Sequence, residues 1–339
     1  MSLGLKANRF VFRTDQLLSS IQLRLGERKG SLLAVFFHGI FSDQDECELD
    51  LCYPQQRTTV DHLDRTVQYF KETCHQFVTP RDIIEGLDPD GRHVLLTFDD
   101  GYYNNIKALP ILEKHNVPAL FFVVAGLVET GRPFWWDVLY RVWRAQQMPM
   151  ERACSEIGNK IAQRSEVLEK CAMEVANVSE LRPVGDVDRV FTPAELRSFA
   201  AHPLVHIGNH SWMHEYLPLY SAAEISQNIE HTQQQLESMT GKKSLAIAYP
   251  YGAINPEVLR AAASAGIELG FTTQARKSYH PATRDPLARL SLGRFVVWGN
   301  QPIPPQCGRM RSDIMLHYWY ERGLRNVKRW LGKPIPSNQ

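Results

Sequence analysis

Seven short apolar runs, separated by amphipathic segments, constrain the fold of this chain more than any other feature of its sequence. The runs cover residues 32–38, 93–98, 118–125, 204–210, 244–250, 269–273 and 293–298. Continuous apolar runs of this length are typical of strands buried on both faces of a parallel sheet, and the segments between them have helical periodicity. The alternation predicts an α/β fold, either a barrel or a doubly wound sheet, with functional groups at the carboxyl ends of the strands.

The alternation also suggests how the chain is divided. Residues 31–300 are interpreted as one domain, interrupted between about residues 131 and 198 by a charged, helix-like insertion without a strand-like run. Residues 1–30 are interpreted as an N-terminal extension. Residues 301–339 are interpreted as a C-terminal helical tail with basic residues in its last turns.

An aromatic cluster stands near the start of the predicted insertion and consists of Phe134, Trp135 and Trp136. Such rings stack on the apolar faces of sugars, but they also fill cores. We favour the second interpretation, in which the cluster anchors the insertion to the domain.

Composition limits the partners of the protein. With 38 Lys and Arg against 37 Asp and Glu, the formal net charge of the 339 residues is +1, so no global field attracts nucleic acid. No window has the roughly 18 apolar residues of a transmembrane helix, and the start lacks the pattern of a signal peptide. We expect a cytoplasmic protein; export after loss of a leader and peripheral membrane contact stay open. The six cysteines are expected to be free thiols, with a Cys47–Cys52 bridge as the alternative.

Two adjacent carboxylates, Asp99 and Asp100, follow the second apolar run. Two carboxylates a few ångströms apart raise each other's pKa, so both stay ionised only beside a cation such as a metal ion. The alternative is an ordinary turn, in which Gly101 takes a positive φ and an aspartate caps the next helix. The pair therefore predicts a cation site only if other ligands converge on it.

Two histidines supply such ligands in the segment HSWMH, residues 210–214. If this segment is a helical turn, the i, i+4 spacing puts His210 and His214 on one face. The pair follows a strand-like run and a Gly208-Asn209 turn, as the aspartates follow their own run. Two histidines and one carboxylate are the pattern of a hydrolytic zinc site or a related metal site.

Three motifs together resemble those of the polysaccharide deacetylases, the carbohydrate esterase family 4 with a NodB homology domain. TFDDG (residues 97–101) is similar to the first motif of the family, HSWMH to the second, and YPYG (residues 249–252) to the end of the third. The resemblance covers roughly residues 31–300 and implies a distorted (β/α)7 barrel. It also implies that Asp100, His210 and His214 bind a divalent ion, with zinc as the default and nickel, cobalt or iron as alternatives.

The resemblance further implies catalytic roles. Asp99 would be the general base, and a backbone N–H near Tyr251 would bind the oxyanion. The segment VFFHGI resembles the permuted arrangement of the poly-N-acetylglucosamine deacetylases, which makes His38 the candidate general acid. His317 is the competing candidate, and a satisfied core histidine at position 38 is the structural alternative.

The third motif departs from the family pattern. Many members carry an arginine two residues before the proline of this motif, where it orients the catalytic aspartate, but this chain has Ala248 there. We expect an arginine from a later strand to replace it, and the candidates are Arg284, Arg289 and Arg294.

The function expected from these residues is metal-dependent removal of N-acetyl groups from an amino sugar of a glycan, glycolipid or sugar intermediate. Two alternatives remain open. The same site could hydrolyse O-acetyl esters or cyclic amides, or the loss of the motif arginine could mark a degenerate barrel that only binds carbohydrate.

Overall fold

The computed structural model describes residues 2–279 and 284–314, and within the first helix it describes side chains from residue 11 onward. The predicted C-terminal helix lies almost entirely outside the described residues, as does His317. The described chain forms a mixed α/β structure around one curled sheet, which confirms the predicted fold class.

The secondary structure follows the predicted alternation. The strands are β1 (Ser31–Phe37), β2 (Ile40–Phe41), β3 (Thr58–Thr59), β4 (Gln76–Phe77), β5 (Arg92–Phe98), β6 (Ala119–Val123), β7 (Val205–Asn209), β8 (Ala246–Ala248), β9 (Leu269–Phe271), β10 (Ser278–Tyr279) and β11 (Phe295–Val296). The helices are α1 (Ser2–Leu25), α2 (Gln44–Glu48), α3 (Val60–Glu72), α4 (Pro80–Glu85), α5 (Leu109–His115), α6 (Ala125–Thr130), α7 (Trp135–Ala145), α8 (Met150–Gly158), α9 (Ser165–Ala176), α10 (Pro193–Ala201), α11 (Ala222–Thr240), α12 (Pro256–Ser264) and α13 (Ile303–Arg311).

Each of the seven apolar runs contains one strand, and these seven strands are parallel neighbours in the order β11-β1-β5-β6-β7-β8-β9. Beyond β9, a bridge between Phe271 and Leu292 continues the curl toward β11, which pairs with β1. The sheet therefore bends back on its first strand as a distorted barrel. Of the strands without an apolar run, β4 pairs with the start of β5, β10 pairs antiparallel with β1, and β2 and β3 form a separate ladder.

Burial on both faces explains why the strands have no alternation of apolar and polar residues. In β1 every residue is buried. Leu32 and Ala34 belong to the core inside the barrel, whereas Leu33 and Val35 belong to the core under the surrounding helices. The parallel arrangement brings the carboxyl ends of all seven strands to one rim of the barrel.

The region predicted as an insertion contains α7, α8 and α9 and leads into α10. Phe134, Trp135 and Trp136 are at most 4% exposed and join the core under the helices. This burial agrees with the anchoring interpretation and leaves these rings no free face for stacking on a sugar.

The first helix packs against the far end of the described chain. Asp15 of α1 is buried beside Arg309 of α13, whose guanidinium also lies 4.1 Å from the ring of Phe12. In the described part of the chain, no helix combines the length and the apolar character that crossing a bilayer requires. All six cysteines are free thiols, and Cys47 and Cys52 lie in one small buried cluster.

A buried carboxylate links the segment after α1 to α13 and to His75. Glu27, just after α1, lies 2.7 Å from Arg311 Nη2 of α13 and 3.2 Å from His75 Nε2. Burial alone raises the pKa of Glu27, but the hydrogen bonds and charges of His75 and Arg311 outweigh it and lower this pKa below its usual value of 4.5. The ionised carboxylate is therefore part of the folded structure.

We expect Arg311→Leu to lower the free energy of unfolding at pH 7 by about 3 kcal/mol, because it leaves a buried carboxylate without its main cation. A carboxyl group whose folded pKa is depressed stabilises the fold above its unfolded pKa and loses this effect as the pH falls through the folded pKa. The difference between variant and wild type should therefore shrink as the pH drops below 4.5. Urea denaturation of both proteins at a series of pH values between 7 and 3 measures this difference in the free energy of unfolding.

The exposed pair of Arg81 and Glu85 provides the control, since its side chains are 72% and 64% exposed. Arg81→Leu should change stability little at any pH. A loss in Arg311→Leu that stays constant down to pH 3 would contradict the role of the ionised carboxylate.

Candidate active site

The two aspartates follow β5 at the carboxyl-terminal rim of the barrel, where the parallel fold was expected to gather functional groups. Asp100 and Gly101 both have left-handed backbone conformations, with φ of 78° and 75°. A Cβ on Gly101 would lie 3.2 Å from the backbone of Val123, so the turn needs glycine for both conformation and space. This turn directs the side chains of Asp99 and Asp100 in different directions.

Asp100 faces the two histidines. Its Oδ1 lies 3.5 Å from His210 Nε2 and 3.4 Å from His214 Nε2. One ligand atom from each of the three residues lies within 4.8 Å of the others, and all three residues are buried. The structure thus brings together the three residues predicted from the sequence as metal ligands.

The three residues fit a divalent ion. Ligands about 2.1 Å from a tetrahedral zinc ion lie roughly 3.4 Å from one another, which is close to the spacing between Asp100 Oδ1 and each histidine. Asp100 Oδ1 is also a buried oxygen without a hydrogen-bond partner in the described structure. A carboxylate oxygen in this position requires a cation or a donor.

The charge states of these residues agree with a cation site. Burial lowers the pKa of His214 to about 3, which keeps its imidazole neutral and able to bind a metal ion. Burial by itself raises the pKa of Asp100, but the neighbouring His38, His210 and His214 lower it well below its usual range. Asp100 is therefore ionised.

The prediction of a helical turn for HSWMH is wrong. The histidines stand in an irregular loop after β7, and both Ser211 (φ 62°) and His214 (φ 57°) have left-handed conformations. Gly208 and Asn209, expected to form a turn, are the last two residues of β7. The side chain of Asn209 accepts a hydrogen bond from the Ser211 N–H, so polar side chains, not a helix, shape the loop.

Neighbouring groups fix the orientation of both imidazoles. His210 Nδ1 donates to the carbonyl oxygen of Ala248 at 2.7 Å, which leaves Nε2 for an ion. The ring of His214 is packed edge-on against Trp136 and Tyr251, with centroid distances of 4.8 and 4.6 Å. Two rings of the aromatic cluster, Trp136 and Phe134, therefore pack on a predicted metal ligand, a role that the sequence did not suggest.

The arginine absent from position 248 is replaced by Arg294, one of the three candidates named from the sequence. Its guanidinium makes a bidentate pair with Asp99, with distances of 2.6 and 2.7 Å, and both side chains are buried. Arg284 and Arg289 do not make this contact; Arg289 donates to the carbonyl oxygen of Ile84. Burial raises the pKa of Asp99, but the charge of Arg294 and that of His210 outweigh it, so the net pKa is lowered.

The other two predicted residues also lie at the rim. His38 follows β1, and its Nε2 is 4.0 Å from Asp100 Oδ2. Tyr251 has a left-handed backbone with φ of 58°, and its ring contacts that of His214. All six predicted site residues are therefore neighbours, through direct contacts or through one intervening residue.

A curled parallel barrel carries at its rim an Asp-His-His cluster that could hold a divalent ion and, beside it, a second aspartate paired with an arginine. The sequence matches the profile described as polysaccharide deacetylase over residues 86–270, more than half of the chain. The chain belongs to the polysaccharide deacetylase family.

Individual relatives are distant. A candidate polysaccharide deacetylase of Bacillus subtilis, YxkH, is 20% identical over 213 residues, which are 61% of this chain and 56% of that protein. The match therefore spans little more than half of the length of this relative.

Solved structures are similar over most of the barrel. A polysaccharide deacetylase from Bacillus cereus has a TM-score of 0.56 at 14% identity, with 83% of this chain and 69% of that chain covered. IcaB from Ammonifex degensii has a TM-score of 0.54 at 18% identity, covering 84% and 98%. A de-N-acetylase from Aggregatibacter actinomycetemcomitans has a TM-score of 0.56 at 18% identity, and the match covers 82% of this chain and 99% of that chain. At these identities the matches define the fold alone.

Substitution of each residue of the Asp-His-His cluster tests the cation site directly. We expect Asp100→Asn, His210→Ala and His214→Ala each to lose a bound divalent ion, because each removes one of only three protein ligands. Metal content after dialysis, measured by mass spectrometry and referred to protein concentration, should fall from about one ion per chain to near zero.

His202→Ala is a matched control, since His202 pairs with Glu113 on the outer surface. This variant should retain the wild-type metal content. Full metal retention by His214→Ala would contradict the assignment of the cluster as the cation site.

Proposed function

We propose that this protein is a metal-dependent deacetylase that removes N-acetyl groups from an amino sugar of a glycan, glycolipid or sugar intermediate. The observation that carries the proposal is the pairing of an Asp100-His210-His214 cluster with a separate, ionised Asp99 at the same rim. One carboxylate is available to an ion while its neighbour is kept for proton transfer. Membership of the polysaccharide deacetylase family supports an acetylated carbohydrate as substrate.

In this proposal Asp100, His210 and His214 hold the ion, and zinc is the default for this ligand set. A divalent ion bound there would supply a Lewis acid that polarises the acetyl carbonyl and acidifies water. The protein contributes two buried imidazoles, of which His214 is kept neutral by burial, together with an ionised carboxylate.

Asp99 is proposed as the general base. Both of its oxygens accept hydrogen bonds from Arg294, which fix the plane of the carboxylate, and each oxygen keeps a lone pair for a proton. The proton that Asp99 removes comes from the water that attacks the acetyl carbon. A base held in one orientation within hydrogen-bond reach of that water accelerates the attack.

His38 is proposed as the general acid. Breaking the C–N bond of the acetamide leaves an amine, which needs a proton, and His38 Nε2 faces the same carboxylate cluster as the substrate would. The backbone N–H of Tyr251, turned by a left-handed conformation beside His214, is proposed to donate to the oxyanion. The products are acetate and the free amino sugar.

The main reason for considering a degenerate barrel that only binds carbohydrate no longer applies. That alternative was based on the missing arginine at position 248, but Arg294 makes the expected contact with Asp99. Hydrolysis of an O-acetyl ester or a cyclic amide at the same site remains the competing proposal, and the products of the reaction distinguish them.

The first experiment measures acetate and free amine from chitin oligomers and acetylated nucleotide sugars, before and after removal of metal by a chelator. Equal yields of acetate and amine, abolished by chelation and restored by zinc, are the expected result. Acetate without amine would favour the ester substrate instead.

We expect Asp99→Asn to keep its metal and to lose turnover by about a thousandfold, because removing a positioned general base costs roughly 10²–10⁴ in rate. Metal content and acetate release, measured on the same preparation, separate this variant from the ligand variants. Full activity of Asp99→Asn would refute the role of the base.

We expect His38→Ala to slow cleavage of an N-acetyl substrate by about a hundredfold and to slow an activated aryl acetate much less. The aryl leaving group departs without a proton, whereas the amine does not. The ratio of the two rates in wild type and variant is the measurement, and equal losses on both substrates would point to another acid.

A further inference from the structure

The segment of residues 50–57, here called the glutamine loop, reaches the site from outside the three sequence motifs at residues 97–101, 210–214 and 249–252. It runs between α2 and β3, and three of its residues with side chains have left-handed backbones: Asp50 (φ 54°), Gln55 (φ 40°) and Arg57 (φ 56°). Such conformations are unfavourable for residues with a Cβ and persist only where other contacts hold them. The loop presents two consecutive glutamines to two different residues of the site.

Gln56 contacts the candidate general acid. Its Oε1 accepts a hydrogen bond from His38 Nδ1 at 2.6 Å, and Gln56 is only 4% exposed. A carbonyl oxygen cannot donate, so this contact keeps the proton of the neutral imidazole on Nδ1. His38 Nε2, 4.0 Å from Asp100 Oδ2, is then the nitrogen that faces the reaction centre, where the imidazole takes up the second proton that it passes to the leaving amine.

Gln55 contacts the candidate metal ligand Asp100. Its Nε2 donates to Asp100 Oδ2 at 2.9 Å, while its Oε1 accepts from the backbone N–H of Gly39 at 3.4 Å. The amide therefore occupies the carboxylate oxygen on the side of His38, not the one beside His210 and His214. Asp100 Oδ1, the oxygen beside His210 and His214, has no hydrogen-bond partner in the described structure and stays available to an ion.

The helical insertion holds the first half of the loop. The carboxylate of Asp50 accepts from Arg144 Nη2 at 2.6 Å and from the Tyr140 hydroxyl at 2.6 Å. The backbone N–H of Tyr53 donates to the buried carboxylate of Asp137 at 2.8 Å. All three partners belong to α7, so the insertion supplies the contacts that keep the unfavourable conformation of the loop.

The other half of the loop is held by the segment after β11. The backbone N–H of Gly299 donates to the carbonyl oxygen of Gln56 at 2.8 Å. A Cβ on Gly299 would lie 2.0 Å from the carbonyl oxygen of Arg57, so only glycine allows this approach. The two glutamines are therefore fixed from both sides of the loop.

We propose that Gln55 and Gln56 are positioning residues for this site: Gln56 fixes the orientation and tautomer of His38, Gln55 fixes the carboxylate of Asp100, and the insertion holds both through the glutamine loop. The inference rests on the proposed function for its kinetic consequences only. Its structural consequences concern the imidazole and the affinity for an ion, and both are measurable without a substrate.

Gln56→Leu tests the contact with His38. We expect it to retain the ion and to slow the cleavage of the N-acetyl substrate by about tenfold to a hundredfold, the usual effect of removing an orienting partner. The aryl acetate should be affected much less, and KM should change little. Gln56→Glu, which keeps an acceptor for Nδ1, should recover most of the lost rate.

A double substitution tests whether Gln56 affects the rate through His38. In a His38→Ala background, Gln56→Leu should cause no further loss, since the group that Gln56 orients is gone. Additive losses in the double variant, or equal losses on amide and ester, would overturn the assignment of Gln56.

Gln55→Leu tests the contact with Asp100. We expect it to weaken zinc affinity by about tenfold to a hundredfold, measured by competition with a chromophoric chelator, whereas Gln56→Leu should leave this affinity unchanged. Gln68→Leu is the control, because Gln68 only bonds Glu72 on the surface of α3. Unchanged affinity in Gln55→Leu would overturn its role.

The insertion is tested by releasing the loop. Arg144→Leu removes the main partner of Asp50 and should reduce both zinc affinity and N-acetyl cleavage by about threefold to tenfold, since small misplacements of a site cost rate. Arg182→Leu, which removes an 81% exposed side chain from an ion pair with Glu180 elsewhere in the insertion, should change neither. Equal behaviour of the two variants would refute the link between insertion and site.

Nitrogen-15 spectra of histidine-labelled, zinc-loaded protein test the tautomer without any activity. At about pH 8.5, where an unperturbed imidazole is neutral, the His38 resonances, identified by their loss in His38→Ala, should show a proton on Nδ1. Gln56→Leu should shift them toward the other tautomer. If the wild-type protein showed the Nε2–H form, the proposal for Gln56 would be wrong even if the deacetylase were correct; the expected spectrum without turnover would instead refute only the proposed substrate.

Discussion

The site depends on the buried ion pair between Asp99 and Arg294. A carboxylate as deeply buried as that of Asp99 is stable as an anion only beside a buried cation, and removing one partner of such a pair typically costs about 3–5 kcal/mol. Arg294 also donates to Thr97 Oγ1 and lies over the rings of Phe36 and Phe122, so it crosses the interior of the barrel. The same contact therefore keeps Asp99 ionised beside Asp100 and links the last parallel strand to the first ones.

Much of the fold could be predicted because parallel strands are buried on both faces and read as continuous apolar runs. All seven runs contain strands, including β11 with only two residues. The two-residue strands β2, β3, β4 and β10 could not be predicted, since such short segments carry no periodic signal and exist only through their partners. The same limit applies to Arg294: its strand was predicted, but the closure that directs it at Asp99 depends on contacts between distant parts of the chain.

The residues of the candidate site could be predicted from the sequence where they belong to motifs. The geometry could not be predicted where an irregular loop positions them. Asp100, His210 and His214 do converge, yet the helical turn that was expected to bring the histidines together does not exist. Left-handed residues at Ser211 and His214 and the side chain of Asn209 produce the convergence instead. Gln55 and Gln56 belong to no motif, and their loop owes its conformation to α7, about 80–95 residues further along the chain.

This last dependence gives a physical role to α7 in the helical segment between β6 and β7. A barrel rim positions residues that directly follow its strands, as it does for His38, Asp99 and Asp100, but it cannot hold a long connection in an unfavourable conformation. The glutamine loop needs external partners, and α7 provides them through Asp137, Tyr140 and Arg144 while its Trp136 packs on His214. One helix thus contacts both the loop and a candidate metal ligand, so the packing that holds α7 on the barrel also limits the freedom of the groups proposed for catalysis.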